Sequence, residues 1–257
     1  MLSAKNISYS IGGKALLGNV SVAFEPGKLN LIIGPNGAGK STLVKLLANQ
    51  LAPQQGQIYY GNTDLKNIGI AQLACIRAVL SQSIELAFPL TVAEVVMMGR
   101  YPHFTGKPEK KDKTAMEQAM RFFDVWDMAD RNYLTLSGGE KQRVNFARVA
   151  AQIWQPVKDG YRYLLLDEPL TFLDIYYQYQ FMYKIQELLQ SSDIVVAGVV
   201  HDLNLAAKFA HHLVLLHHGK VLAAGDKQQV LTVENIHTAY RLLPVIRNDG
   251  DGLHLSF

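Results

Sequence analysis

The stretch GPNGAGKST, residues 34–42, has the composition of a phosphate-binding turn. Its glycines let backbone N–H groups turn toward a polyphosphate without clashes from a Cβ atom. Lys40 can reach the outer phosphates, and the hydroxyl of Ser41 can bind Mg²⁺. An apolar strand pattern precedes the stretch and a helical pattern follows it. The start of that helix would add its partial positive charge at the same place.

A second stretch, LSGGEKQR at residues 136–143, reads as the start of a helix. Ser137 suits the N-cap, and Glu140 three residues later completes a capping box. The two glycines leave N–H groups bare at the helix start, so this is a second candidate device for an anion. The helix after it carries four apolar residues on one face: Val144, Ala147, Ala151 and Trp154.

Carboxylates end the apolar run in LLLDEPLTFLD, residues 164–174. Adjacent like charges in such a place are costly unless a cation uses them. At the carboxyl end of a strand, where α/β sheets bind ligands, Asp167 would hold Mg²⁺. Glu168 points differently and could accept a proton from water attacking a γ-phosphate. The alternative is an ordinary capping or exposed acidic pair. His201 also ends an apolar run and could donate a hydrogen bond to the γ-phosphate.

Composition narrows the class of protein. The 257 residues suit one large α/β domain or a domain with an insertion. A net charge of +3 gives no case for nucleic-acid binding. Cys75 is the single cysteine, so neither an internal disulfide nor a cysteine metal cluster is expected. Without a secretory signal or an apolar run of membrane-spanning length, we expect a cytosolic chain.

The order of patterns predicts a mainly parallel sheet covered by helices. Short strands dominate the first 60 residues, helical patterns fill residues 91–155, and strands and helices alternate from Tyr161 onward. The charged stretch KPEKKDK, residues 107–113, is expected to be a solvated loop leading into a helix. Two histidine pairs flank the strand pattern in HHLVLLHH, residues 211–218. A metal site there is disfavoured because the pairs would lie at opposite ends.

Together these motifs resemble those of the nucleotide-binding subunit of ABC transporters, over essentially the whole chain. GPNGAGKST is similar to the family's P-loop, LSGGE to its signature, YLLLDE to its Walker B strand and LTFLD to its D-loop. Gln82 in LSQ resembles the Q-loop glutamine, His201 in VVHD the switch histidine, and Tyr9 in NISYSI the aromatic residue that stacks on adenine. Singly, these last three would be weak signals, but all the motifs occur in the family's order.

The resemblance implies an α/β fold with a P-loop NTPase (RecA-like) core, an N-terminal antiparallel β subdomain and an inserted α-helical subdomain. The core would comprise residues 1–82 and 156–257, and the insertion residues 83–155. It also implies ATP and Mg²⁺ as ligands and a head-to-tail homodimer. The predicted ATP-binding residues are Tyr9, Gly34, Pro35, Asn36, Gly37, Ala38, Gly39, Lys40, Ser41 and Thr42 of one copy, with Ser137, Gly138, Gly139 and Glu140 of the other.

The same resemblance implies a role for each polar residue of the site. Lys40, Gln82, Glu168 and His201 would be catalytic, with Glu168 as the general base. Ser41, Gln82 and Asp167 would hold the metal, and Asp174 would connect the two sites of the dimer. One departure concerns the D-loop, because family members often carry threonine in place of Leu170 and a small residue in place of Phe172. This leaves the contacts of the D-loop open.

Cargo is inferred from the resemblance, because these subunits do not touch it. The compact length, GRYPH, and TLSGGEKQRVNFARVAAQIWQ look most like ATPases of bacterial iron-chelate importers. ARVAAQIWQP and VKDGYRYLLLDEP look closest to those of haem (hemin) importers. ATPases of ferric-siderophore and vitamin B12 importers remain the alternative. The implied partners are multi-span permease subunits and, indirectly, a periplasmic binding protein. The implied location is the cytoplasmic face of the inner membrane.

The apolar segment 86–104 has two interpretations. It could form a groove that receives a helix of the membrane subunit, or Val92, Val95, Val96 and Met97 could pack the helical subdomain's own core. Other classes within the family are disfavoured. ABC ATPases that act in translation usually carry two such domains per chain, and those that act in DNA repair carry long coiled coils. Exporter domains are usually fused to membrane spans. The sequence shows none of these features. A catalytically inactive regulatory copy is disfavoured because every chemical motif is intact.

Overall fold

The computed structural model describes residues 1–80, 88–158, 160–171, 173–249 and 252–257. Its strands, in chain order, are β1 (Leu2–Ile11), β2 (Lys14–Phe24), β3 (Leu29–Ile33), β4 (Gln55–Tyr60), β5 (Thr63–Asp64), β6 (Arg77–Leu80), β7 (Arg162–Leu166), β8 (Ile194–Val199), β9 (His212–His217), β10 (Lys220–Gly225), β11 (Val245–Asp249) and β12 (Gly252–Ser256). The α-helices are α1 (Lys40–Leu47), α2 (Ile70–Ile76), α3 (Val92–Met97), α4 (Lys110–Phe122), α5 (Gly138–Gln152), α6 (Ile175–Leu189), α7 (Leu203–Phe209), α8 (Lys227–Val230) and α9 (Val233–Tyr240).

A six-stranded sheet of order β10-β9-β3-β8-β7-β6 forms the centre of the molecule. Five neighbouring strands run parallel, and β10 is antiparallel to its partner β9, with which it forms a hairpin. A second sheet, of order β2-β1-β4-β5, is antiparallel throughout. The predicted α/β architecture, with an antiparallel N-terminal layer, is confirmed.

Alternation along the central strands divides the core into two layers. Leu29, Leu31 and Ile33 of β3 pack into one cluster with the long helices, whereas Ile32 packs with α1 and the antiparallel sheet. Because successive side chains of a strand point to opposite faces, a strand buried on both faces reads as continuously apolar. This explains the four apolar residues of LNLII, in which every residue is buried. The fifth, Asn30, is polar, and its amide donates to the carbonyls of Glu25, Lys28 and Val196.

Helices dominate residues 88–154, as predicted. Between α3 and α4, a 3₁₀ segment over Met98–His103 crosses α5 closely. A Cβ atom on Gly99 would lie 2.1 Å from the carbonyl oxygen of Arg148, so only glycine fits there. Next to it, the guanidinium of Arg100 is fully buried and donates to Asp112 at 3.0 Å and to the carbonyl of Ala151 at 2.7 Å. The GR of GRYPH therefore fastens this segment to the end of α5.

Two details of the predictions are corrected, and the second of the two interpretations of segment 86–104 holds for its valines. Asp112 of KPEKKDK is not solvated, because it is fully buried against Arg100. The helix after LSGGE ends at Gln152, so Trp154 lies beyond it, although its ring still packs against the core. Val92, Val95 and Val96 are buried in the helices' own core and are unavailable to a partner. None of the helices in the described part of the chain has the length and apolar character needed to cross a bilayer.

Candidate functional site

Three predicted motifs meet at one edge of the central sheet. The carboxyl ends of parallel strands share an edge. β3 ends immediately before the P-loop, β7 immediately before Asp167, and β8 two residues before His201. A cavity of about 190 Å³ there is lined by Leu16, Asn36, Gly37, Gly39, Lys40, Ser41, Thr42 and Glu168. Glu168 also lines a neighbouring cavity of about 220 Å³ with His201. The sheet thus brings the P-loop, the Walker B carboxylate and the histidine together, as predicted.

Lys40 is held inside the P-loop. It is the first residue of α1, only 5% exposed, and its ammonium donates to the carbonyls of Gly34 at 2.7 Å and Pro35 at 3.0 Å. Burial lowers the pKa of Lys40, while the nearby carboxylates of Glu168 and Asp167 raise it in part. The ammonium therefore sits in the concavity of the loop, where a lysine can meet the outer phosphates of a nucleotide.

Elements distant in sequence support the P-loop from behind, which sequence reasoning missed. At Gly34, φ is 146° and a Cβ atom would lie 2.2 Å from the carbonyl oxygen of Leu216 in β9. The N–H of Gly219 donates to the carbonyl of Ala38 at 3.1 Å. At the end of α9, burial raises the pKa of the Tyr240 hydroxyl to about 12, partly offset by a hydrogen bond with the backbone of Gly34. No local pattern marks such support, because it depends on how the C-terminal elements pack.

Asp167 has the surroundings of a metal ligand. Its N–H donates to the carbonyl of Leu80 at 3.0 Å, which fixes the end of β7 to β6. Its Oδ1 is buried and has no hydrogen-bond partner among the described residues. Burial raises the pKa of Asp167 and the charge of Glu168 raises it further, against a hydrogen bond from Ser41. A hydroxyl and a carboxylate oxygen are the hard ligands that Mg²⁺ prefers, so these two residues fit that metal.

Glu168 adopts a backbone conformation that is costly for any residue with a side chain. Its φ is 52°, in the left-handed region, and such strain persists mainly where the surroundings over-determine it. The conformation turns the side chain away from that of Asp167 and toward His201, whose Nε2 lies 2.9 Å from Oε1 of Glu168. The two adjacent carboxylates therefore point in different directions, as predicted.

The start of α5 has the predicted capping box. The carboxylate of Glu140 accepts from the N–H of Ser137 at 2.8 Å, and the hydroxyl of Ser137 accepts from the N–H of Glu140 at 3.3 Å. Glu140 also pairs with Arg131 at 2.9 Å. Ser137 and Gly138 are exposed, and neither is among the described residues that line the P-loop cavity of the same chain. Within one chain, the two predicted phosphate-binding motifs therefore do not line the same described cavity.

The remaining predicted residues are placed less centrally. Tyr9 of β1 lies opposite Leu17, whose side chain approaches the P-loop at Gly39, so Tyr9 shares the sheet face next to that loop. Asp174 is exposed and caps α6 by accepting from the N–H of Tyr177 at 3.0 Å. Leu170 packs partly against the core. The predictions for Gln82 and Phe172 lie outside the described residues.

Two further polar groups are informative. The histidine pairs at residues 211–212 and 217–218 lie at opposite ends of β9, as the pattern predicts. Gln142 was not given a role by sequence reasoning, although it belongs to LSGGEKQR. It is 6% exposed, and its Nε2 donates to the carbonyl of Pro169 at 2.7 Å. Its position within LSGGEKQR was the signal in the sequence that could have identified it.

A P-loop after one strand of a parallel sheet, with a carboxylate at the end of another strand of that sheet, is typical of P-loop nucleotide hydrolases; here β8 lies between the two strands, β3 and β7. The ABC transporter family profile matches residues 17–171. The hemin import ATP-binding protein of Escherichia coli O157:H7 is 42% identical over 240 residues, which are 93% of this chain and 92% of the relative. The chain belongs to the ABC transporter family, among its ATP-hydrolysing subunits.

Solved structures agree with that assignment. An inward-facing metal-chelate type ABC transporter superposes with a TM-score of 0.81 at 25% identity, over 99% of this chain and 95% of that chain. A dimeric bacterial ABC transporter cassette superposes with a TM-score of 0.73 at 25% identity, over 88% of this chain and 98% of that chain.

Proposed function

We propose that this chain is the ATP-hydrolysing subunit of a bacterial importer of an iron chelate, most specifically haem (hemin). The observation that carries the cargo is the 42% identity with a hemin import ATP-binding protein over nearly the full length of both chains. The likeness to a metal-chelate type transporter favours the same broader class. Ferric-siderophore or vitamin B12 import is the alternative.

In the proposed reaction, the chain's own residues position and polarise ATP. Backbone N–H groups of the P-loop and the ammonium of Lys40 bind the phosphates, and Tyr9 stacks on adenine. Ser41, Asp167 and Gln82 hold Mg²⁺, which when bound neutralises charge on the phosphates. Glu168 accepts the proton of the attacking water, and His201, 2.9 Å from Glu168, donates to the γ-phosphate.

The proposed working unit is a head-to-tail homodimer. Ser137, Gly138, Gly139 and Glu140 of one copy would cover the ATP bound by the P-loop of the other. The exposure of Ser137 and Gly138, and the absence of all four residues from the described lining of the P-loop cavity of the same chain, favour contact in trans. Hydrolysis removes the γ-phosphate that bridges the copies, so the dimer loosens. Asp174 would link the two sites through the D-loop.

The proposed membrane partners are multi-span permease subunits, with the periplasmic binding protein acting through them and the chain on the cytoplasmic face of the inner membrane. In the segment proposed to receive the permease, Phe88 and Tyr101 are 60% and 59% exposed, although the neighbouring valines are buried. Exposed aromatic side chains suit an interface anchor.

The test is reconstitution of the chain with its permease in liposomes. Haem-loaded binding protein should stimulate ATP hydrolysis, whereas siderophore-loaded protein should not. Stimulation by the siderophore complex alone would replace haem with the alternative cargo. A chain that co-purifies with ribosomes or DNA rather than with a permease would contradict the transport proposal.

A further inference from the structure

Gln142 joins two parts of the site that are far apart in sequence. It lies in the first turns of α5, just beyond Gly138 and Gly139, and it is almost fully buried. Its side-chain amide donates to the carbonyl of Pro169 at 2.7 Å. Pro169 is itself buried and directly follows Glu168. One hydrogen bond thus connects the helix that carries the signature to the residue after the proposed base.

The turn at Glu168 needs such support. A glutamate at a φ of 52° would relax toward ordinary backbone values unless its neighbours were held. On one side, the N–H of Asp167 donates to β6. On the other, the hydroxyl of Thr171 donates to the carbonyl of Glu168 at 3.1 Å. The bond from Gln142 adds a support that comes from another element, and a buried amide–carbonyl bond is costly to lose.

We propose that Gln142 is a positioning residue for ATP hydrolysis, which holds the Glu168–Pro169 turn against α5. The inference rests on the proposed function, in which Glu168 serves the ATP of its own chain and the start of α5 covers the ATP of the partner copy. Because one helix contacts both, the seating of α5 on one nucleotide determines how firmly the base of the other site is held. Gln142 therefore contributes to cooperativity between the sites.

The test compares Gln142→Leu with Gln152→Leu. Gln152 lies on the same helix and also donates to backbone carbonyls, those of Ala74 at 2.7 Å and Arg77 at 2.9 Å, but these are remote from Glu168. Gln142→Leu should lower kcat of the purified ATPase about tenfold, leave KM for ATP within twofold, and reduce the Hill coefficient toward one. Gln152→Leu should lose comparable thermal stability and keep kcat and the Hill coefficient. Equal kinetics in the two variants would overturn the proposal.

Gln142→Glu supplies a second readout, which also serves if the leucine variant does not fold. A carboxylate cannot donate to the carbonyl of Pro169, whereas a protonated carboxyl group can. The ratio of its kcat to that of the wild type should therefore rise as the pH falls from 8 toward 6. A ratio that does not change with pH would contradict the role of the hydrogen bond.

Glu168→Gln, assayed in parallel, distinguishes failure of the proposed function from failure of the inference about Gln142. If Glu168→Gln hydrolyses ATP normally, both the base role and this inference fail. If Glu168→Gln is inactive and Gln142→Leu behaves like Gln152→Leu, only the inference fails. The identity of the cargo does not affect this test, because ATP hydrolysis by the purified subunit is the quantity measured.

Discussion

At the scale of single residues, two adjacent carboxylates are made different by their surroundings. Asp167 keeps the direction of β7 and stays partly buried with an oxygen that has no partner in the described protein. Glu168 turns away through its left-handed backbone and reaches His201. The repulsion between neighbouring charges is thereby reduced, and each carboxylate faces a different part of the proposed reaction.

Replacing Glu168 by glutamine should stop turnover without stopping ATP binding. The amide keeps the shape of the side chain but cannot accept the proton of water, so kcat should fall at least about a hundredfold, within the range expected for a lost general base. ATP should then hold the variant as a dimer, which size-exclusion chromatography with and without ATP would detect. Lys40→Ala is the matched comparison, because it should lose nucleotide binding itself. Wild-type turnover in Glu168→Gln would remove Glu168 from the role of base.

Replacing Asp167 by asparagine should abolish ATP hydrolysis yet slightly stabilise the nucleotide-free protein at neutral pH. Because the pKa of Asp167 is raised on folding, its ionised form opposes folding at pH values above the unfolded pKa of about 3.9. The neutral amide removes that cost, by less than about 1 kcal/mol since the side chain is partly exposed. The gain should shrink as the pH falls toward about 4, because the carboxyl group then becomes protonated in the folded state and about half protonated in the unfolded state. Urea unfolding at pH 7 and pH 4 would check the sign, and a loss of stability at pH 7 would refute it.

At the scale of elements, α5 connects most of the molecule. Its first turn carries the signature, and Gln142 contacts the turn after Glu168. At its other end, Gln152 donates to the carbonyl of Arg77 in β6, and the carbonyl of Ala151 accepts from Arg100 of the 3₁₀ segment. The division into a core and a subdomain at residues 83–155 remains a prediction.

The buried pair of Arg100 and Asp112 should be essential for stability of this helical region. Asp112→Ala leaves an unpaired buried guanidinium, so the free energy of unfolding should fall by about 3–5 kcal/mol. The nearby exposed pair of Lys111 and Glu109 is the control, since Lys111→Ala should leave the free energy of unfolding nearly unchanged. Urea denaturation of both variants would measure the contrast. Similar costs for the two would show that burial does not govern this pair.

At the scale of the whole molecule, a complete site would need two chains. The P-loop cavity is lined by residues of the P-loop, β2 and Glu168, while the signature is exposed elsewhere on the surface. Each chain would then contribute half of each of two sites, which makes hydrolysis depend on assembly and lets the permease control it.

Mixing two inactive variants should restore activity. Lys40→Ala disables the P-loop half, and Gly138→Asp blocks the signature half without a clash inside its own chain, because a Cβ atom at Gly138 meets nothing within 4 Å. In a head-to-tail dimer of one chain of each, one site contains both defects and the other contains none. An equimolar mixture should therefore regain at most about a quarter of wild-type turnover, the value for random pairing and sites that hydrolyse independently, and less where cooperativity requires two intact sites. A mixture as inactive as its components would contradict a site shared between chains.

The sequence by itself determined the chemistry and the order of the elements. The predicted roles of GPNGAGKST, LSGGE and LLLDE depend on a backbone turn, a helix end and a strand end, which are local features that residue spacing records. Tertiary structure decided what supports them: the hairpin and Tyr240 behind the P-loop, the left-handed turn of Glu168 against His201, and Gln142 on Pro169. It also decided the burial of Asp112, which the charged neighbours in KPEKKDK gave no reason to expect. Such contacts join residues far apart in the chain, and they follow from close packing, which leaves no period or motif in the sequence.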